Sequence, residues 1–203
     1  MKIVIVGGEG IIGKALQDKL SDADELLIAG RSSGEYRVDF TDENSVSAFF
    51  SSIGMVDAVI VTAGSAPFKA LEEMTTQDFE AGLKSKLMGQ VNIALHAINN
   101  IRPGGSITLT SGVLAEDPIP SGAALSMVNQ AVNGFVIGAY GELIKKGIRI
   151  NAVSPALVED SYEKLKDQFP GHIPAPMGEV AMAYLKSIKG IITGQIIKVG
   201  YNG

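Results

Sequence analysis

Ile3-Val4-Ile5-Val6 flows directly into Gly7-Gly8-Glu9-Gly10-Ile11-Ile12-Gly13, and Lys14-Ala15-Leu16 follow. The apolar run reads as a buried strand and the glycines as a turn too tight for side chains. Ile11, Ile12, Ala15, Leu16 and Leu20 then form one apolar face of a helix over about residues 11 to 21. A strand that turns on glycine into a helix presents backbone amides to an anion, and a pyrophosphate bridge suits such a turn. Gly8-x-Gly10-x-x-Gly13 and the overlapping Gly7-x-x-Gly10-x-x-Gly13 both have dinucleotide-fingerprint spacing, and their place between strand and helix gives the spacing its meaning. Gly10 would let the backbone approach phosphate, and Gly13 would let the helix pack closely on the strand. The expected contacts are Gly7, Gly8, Glu9, Gly10, Ile11, Ile12 and Gly13.

Strand-like runs continue at about residues 25 to 29, 36 to 39, 57 to 62, 105 to 110, 147 to 153 and 195 to 199, with helix-like segments between them. Such alternation predicts an α/β fold, a doubly wound parallel sheet of about seven strands covered on both faces. Thr41 and Thr75 look like helix caps, with acidic residues in the turns that follow. No repeat or linker divides the chain, so residues 1 to 203 are expected to form a single dinucleotide-binding domain. The helix expected over about 121 to 145 is apolar nearly all round: between Ala123 and Ile144 its polar side chains are Ser126, Asn129, Gln130, Asn133, Tyr140 and Glu142. A helix outside a three-layer sandwich should show a polar face. The expectation is a homodimer or homotetramer, formed through this helix and the one over about 76 to 101.

The net charge of −5 and the lack of any basic cluster larger than Lys145-Lys146 argue against nucleic acid or an anionic membrane as partner. A small-molecule substrate fits better. There is no cysteine, hence no disulfide framework, thiolate nucleophile or thiolate metal ligand, which fits a cytoplasmic protein. Four strongly apolar residues after Lys2 are too few for a signal segment or a membrane span. His96 and His172 have no metal-ligand spacing, so no metal is expected.

The end of the second strand separates the two nicotinamide dinucleotides, because an acidic residue there binds the 2′-hydroxyl and repels a 2′-phosphate. Here it reads Ala29-Gly30-Arg31-Ser32-Ser33. An arginine beside hydroxyls suits a phosphate and points to NADP through Arg31 and Ser32. Glu9, a carboxylate in the phosphate turn, pulls toward NAD.

Further motifs carry a family resemblance. Asp39-Phe40-Thr41 looks like an adenine-contacting turn after the third strand, and Thr62-Ala63-Gly64 looks like the Asn-Ala-Gly that follows a fourth. Gly105 to Ser111 matches a strand ending in a catalytic serine; Gly147 to Pro155 matches a sixth strand with its nicotinamide turn; Ile192 to Val199 matches a last strand. With these motifs in order, the chain resembles the short-chain dehydrogenase/reductase family along almost its whole length. The resemblance implies a three-layer Rossmann-like fold, an NAD(P) cofactor held also by Asp39, Phe40, Ala63, Gly64 and Pro155, and hydride transfer to or from a small carbonyl or alcohol. It also implies a tyrosine acid, a lysine four residues later, a serine and an asparagine. Aligning Ala131 to Phe135 with the family helix puts Leu125 at the tyrosine and Asn129 at the lysine. No register shift restores the pair, since no Tyr lies between residues 37 and 139 and no Lys between 87 and 144. Tyr140 is about 22 Å further along the helix at about 1.5 Å per residue. Lys86 stands where the family has its asparagine, so lysine and asparagine have traded places.

Two functions follow. In one, Lys86 stabilises developing negative charge on a carbonyl or activated alkene, Ser111 positions the substrate oxygen, Asn129 completes the site, and Lys86, Ser126 or water supplies the proton. In the other, the chain is a catalytically silent NADP-binding sensor or structural protein. Glu116 and Asp117 read as a solvated acidic loop or as substrate-binding carboxylates, His96 as packed, and His172 as a turn residue near the pocket mouth. Met88, Met127 and Met177 read as core or interface filling. Residues 156 to 189 would make a short lid, irregular around Pro170, Pro174 and Pro176, ending in a helix over about 177 to 188.

Overall fold

The structure, a computed structural model, describes residues 1–20 and 22–201. Its elements are β1 (Lys2–Val6), α1 (Ile11–Gln17), β2 (Glu25–Gly30), β3 (Tyr36–Arg37), α2 (Glu43–Ile53), β4 (Val56–Val61), α3 (Thr76–Gly82), a π-helical turn (Leu83–Met88), α4 (Gly89–Ala97), β5 (Ile101–Thr110), α5 (Ala123–Leu143), β6 (Arg149–Pro155), α6 (Glu159–Leu165), α7 (Met177–Lys189) and β7 (Ile196–Val199). The seven strands form one sheet in the order β3-β2-β1-β4-β5-β6-β7, every neighbouring pair parallel. The chain reverses its direction of travel between β1 and β4, and a crevice opens at the carboxyl ends of strands where such a reversal occurs.

Alternate residues of β1 explain the three layers. Val4 and Val6 point to the side packed by Phe49, Phe50, Ile93, Val132 and Val136 of α2, α4 and α5. Ile3 and Ile5 point to the other side, against Leu16, Val180, Tyr184 and Ile188 of α1 and α7. A period of two with both faces buried gives the unbroken apolar run seen in the sequence. At the turn that follows, Gly7 has φ +87°, and a Cβ on Gly13 would lie 2.5 Å from both Gly7 O and Gly8 Cα, so α1 can close onto the strand only through glycine. Among the described residues no helix is long and apolar enough to cross a membrane.

Several boundaries differ from expectation. The first helix ends at Gln17, short of the expected 21, and Ser21 lies outside the described residues. Thr41 is not the cap of α2; Asp42 is, accepting a bond from Asn44 N, while Thr41 donates to Asp39. The third strand stops at Arg37 instead of 39 because it pairs only with the last two residues of β2. β5 starts earlier, at Ile101, opposite Val56 and ahead of an irregularity in register. β6 starts at Arg149 because Gly147 is left-handed, φ +71°, and closes the preceding turn. The helix expected over 76 to 101 is three segments, α3, the π-turn and α4. The lid is less irregular than expected, with α6 inside it. Thr75 does cap α3, in a reciprocal capping box with Asp78.

Asn151 ties the sixth strand to the approach of the seventh: its Nδ2 donates to Ser187 Oγ (3.1 Å) and Ile192 O (3.0 Å), and its Oδ1 accepts from Gln195 N (3.1 Å). Asn151→Leu keeps the branched shape and strips these bonds from the Ser187 hydroxyl and from the partly buried backbone at Ile192 and Gln195. It is expected to cost about 2–3 kcal/mol in urea unfolding.

Candidate active site

Two cavities lie end to end across the carboxyl edge of the sheet. The first, about 520 Å³, is bounded by Gly7, by Arg31, Ser32 and Ser33 beyond β2, by Phe40 and Thr41, by Ala63 and Gly64, and by Lys84 and Ser85 of the π-turn. The second, about 290 Å³, is bounded by Lys86, Thr110, Ser111, Leu125, Asn129 and Pro155, and its roof includes Val158, Leu165 and Phe169 of the lid. Gly64 lines both. An elongated ligand can therefore run from the end of β2 to the end of β5 along one continuous edge.

The chemistry is concentrated in the second cavity. Lys86 is 7 % exposed, and its Nζ donates to Thr110 O at 3.3 Å. Desolvation alone lowers its pKa from 10.5 to about 8. Ser111 Oγ donates to Asn129 O (3.0 Å), which pins the serine to α5. Asn129 Oδ1 is buried and accepts no bond in the structure. An ammonium, a hydroxyl and an orphan acceptor thus meet in one chamber with the apolar Leu125, Leu165 and Phe169. Thr110 joins this chamber to the core: its Oγ1 bonds Val61 O and Tyr184 OH (2.6 Å). Burial pushes the Tyr184 phenol far above its ordinary value, so it stays neutral.

The expected catalytic residues Lys86, Ser111 and Asn129 are thus brought together, with Leu125 beside them. Of the expected cofactor residues, Gly7, Arg31, Ser32, Phe40, Ala63 and Gly64 line the first cavity, and Ile12, Gly64 and Pro155 the second. Gly8, Gly10 and Gly13 shape the turn beneath them, and Ile11 is half exposed at the start of α1. Asp39 turns back onto Thr41, whose side-chain and backbone bonds hold its carboxyl below the ordinary value. The carboxylate of Glu9 lies 3.5 Å from Lys14 Nζ, so its charge is compensated locally. Tyr140 packs on Gly194, ahead of β7 at the other edge of the sheet.

The remaining ionisable candidates are structural in this geometry. Glu116 pairs with Lys198, and Asp117 lies 3.7 Å from His172 Nε2. His172 packs edge-on against Phe169 of the roof, and His96 stacks on Phe50. Met177 is buried, while Met88 and Met127 are exposed. Sequence reasoning missed Lys84 and Gln90. Lys84 stands two residues before Lys86, a separation that says nothing of cavities until the π-turn is known, and Gln90 lay in an apolar helical run without a motif.

With this geometry in place, comparison with known proteins defines the family. Residues 8–200 match the family model described as enoyl-(acyl carrier protein) reductase, and the chain belongs to the short-chain dehydrogenase/reductase family. The hydroxynaphthalene reductase-like protein Arp2 of Metarhizium acridum is 31% identical over 165 residues, covering 77% of this chain and 62% of that protein. The hydroxynaphthalene reductase arp2 of Aspergillus fumigatus is 28% identical over 134 residues, 64% of this chain and 49% of that one. The chain thus spans about half to three fifths of the length of these curated relatives. Among solved structures, the protein lin1944 from Listeria innocua is 40% identical with a TM-score of 0.95, over 98% of each chain. A small-chain dehydrogenase in complex with NADPH is 31% identical with a TM-score of 0.86, over 98% of this chain and 96% of that one.

A buried amine with a depressed pKa leaves a signature on stability. The unfolded chain binds the proton up to about pH 10.5 while the folded one releases it near 8, so stability rises with pH across that window. Below pH 8 both states carry the proton and the burial penalty stands in full. Lys86→Met is therefore expected to be more stable than wild type by about 3 kcal/mol at pH 7.5, with the gap closing by pH 10.5 in urea titrations.

Proposed function

We propose that this protein is an NADP-dependent oxidoreductase, acting on a small carbonyl, alcohol or activated alkene with Lys86, Ser111 and Asn129 in place of the family's usual catalytic set. The observation that carries this reading is the second cavity, where those three side chains meet beside Pro155. The site also fits the cofactor. The buried Oδ1 of Asn129 lacks a donor that a ribose hydroxyl would supply, and Arg31 and Lys84 bring two cations to the opposite cavity, where a 2′-phosphate needs them. A relative solved with NADPH supports the choice of dinucleotide.

The backbone of residues 7 to 13 would hold the pyrophosphate, Arg31 and Ser32 the phosphorylated ribose, and Asp39, Phe40, Ala63 and Gly64 the adenosine half, within one dinucleotide-binding domain. Bound there, NADPH supplies hydride. Lys86 as ammonium holds negative charge that develops on the substrate oxygen, and with a pKa about 8 it gives up or regains a proton near neutrality. Ser111, whose hydroxyl donates to Asn129 O in this structure, would turn that proton to the substrate oxygen and so orient the same group. Leu125 and the lid side chains Leu165 and Phe169 exclude water and favour an apolar substrate body.

The same reading includes a homodimer or homotetramer built on α4 and α5. Leu95, Ile137 and Tyr140 are exposed on these helices, and an apolar depression of about 350 Å³ lies between them, lined by Leu95, Ile98, Phe135 and Ala139. Sedimentation at micromolar concentration is expected to show a dimer or larger, and Ile137→Glu a monomer. A wild-type monomer would remove this part.

The activity itself is tested by fluorescence titration and turnover. NADPH is expected to bind more tightly than NADH, and Arg31→Ala to lose about tenfold of that preference, or about 1.4 kcal/mol. Across a panel of small ketones, aldehydes and enones, Lys86→Ala is expected to lower turnover at least about 100-fold. Tight NADPH binding with no turnover on the whole panel would instead leave a silent dinucleotide-binding protein.

A further inference from the structure

β5 outlasts its neighbour. The pairing with β4 runs Ala58↔Ser106, Val59↔Ile107 and Ile60↔Thr108, and then β4 ends at Val61 while β5 goes on to Thr110. A backbone N–H and C=O at such an edge, buried and without a strand beside them, need other partners. Gln90 provides both. Its Oε1 accepts from Thr110 N at 2.7 Å and its Nε2 donates to Thr110 O at 2.9 Å, so one primary amide stands in for a missing strand residue. The same Nε2 donates to Lys86 O at 2.8 Å, within the π-helical turn over Leu83–Met88. A π-turn lengthens the ladder and takes its carbonyls out of the usual register, which side-chain bonds can stabilise. Lys86 Nζ itself donates to Thr110 O. Gln90 is fully buried, and it does not line the cavity.

We propose that Gln90 is the positioning residue for the Lys86 amine, holding the lysine's π-turn and the carbonyl that its ammonium bonds as one unit at the end of β5. This rests on the role given to Lys86 above. Gln90 touches no substrate; it acts through the backbone of Lys86 and Thr110. Without its amide the Lys86 carbonyl is released and the turn can relax toward α-helical register, rotating the lysine out of the chamber. The amine then gains water, and its proton affinity rises toward the ordinary lysine value.

The test reads Lys86 directly and needs neither cofactor nor substrate, so its failure is distinct from failure of the oxidoreductase reading. Trace labelling with acetic anhydride across a pH series, with peptide mass spectrometry, gives the titration midpoint of individual lysines, and exposed Lys84 serves as the internal reference. The wild-type Lys86 midpoint is expected near 8. In Gln90→Met, which fills similar volume without hydrogen bonds, it should move up by at least about one unit, a tenfold change in the ratio of neutral to charged amine. Tyr184→Phe, which removes another bond to Thr110 and is similarly core-facing, should leave the midpoint in place. If Gln90→Met lowers the melting temperature while the Lys86 midpoint stays at the wild-type value, Gln90 is a core residue only and the proposal falls. Should Gln90→Met not fold, Gln90→Asn, which withdraws the amide by one methylene, carries the same expected shift and the same overturning result.

Discussion

The end of β5 is the point on which the rest of the site depends. Thr110 offers five bonds in different directions: N–H to Gln90, C=O to Gln90 and Lys86, and Oγ1 to Val61 O and Tyr184 OH. Each ties a different layer to one residue. Gln90 and Lys86 come from the helices on one face of the sheet, Tyr184 from α7 on the other, and Val61 from the neighbouring strand. Ser111 follows immediately and is held by Asn129 of α5. A serine one residue beyond such a knot has little freedom to move, which is what a group that orients substrate requires.

Against that rigid frame stands a lysine that is costly to bury. Removing an ammonium from water is unfavourable unless a counter-charge or dense hydrogen bonding replaces the lost hydration. Lys86 has one carbonyl at 3.3 Å, and desolvation is the sole cause of its lowered pKa. The fold therefore keeps this residue under strain of solvation, and functional sites are where such strain persists. A ligand bringing partial or full negative charge into the second cavity would relieve it by favouring the charged form of the lysine.

Much of the fold was legible because it follows from local pattern. β1 is buried on both faces and reads as an unbroken apolar run; Gly13 is where α1 closes onto the strand; the residue types at the end of β2 predict a cation at the first cavity, and Arg31 lines it. That Lys86, Ser111 and Asn129 would share one cavity came only as what the family resemblance implied, not from any local pattern. What sequence hid was what no local rule encodes. Asp42 and Thr41 are both competent caps, and only the turn of Asp39 onto Thr41 decides between them. A π-turn has no composition of its own, so α3 and α4 read as one helix. Gln90 looked like a polar interruption in an apolar helix because its partners are twenty residues away on a strand edge that appears only once β4 departs.

The π-turn also gives a physical sense to the exchange of lysine and asparagine that the family alignment implies. A lysine is long enough to carry its ammonium from the π-turn, whose Lys84 and Ser85 line the first cavity, to Thr110 O in the second, whereas the shorter asparagine reaches the same chamber from α5. Gly112 leaves room for that amide: a Cβ there would lie 3.0 Å from Asn129 Nδ2, so the amide would have to give by a few tenths of an ångström. Such an arrangement keeps an ammonium and an amide in the same chamber, both delivered from one face of the sheet, with the cation on the turn that Gln90 anchors. The residue after Ser111 and the residue at 129 thus meet in one contact, and a side chain at 112 would press on the buried Asn129 amide.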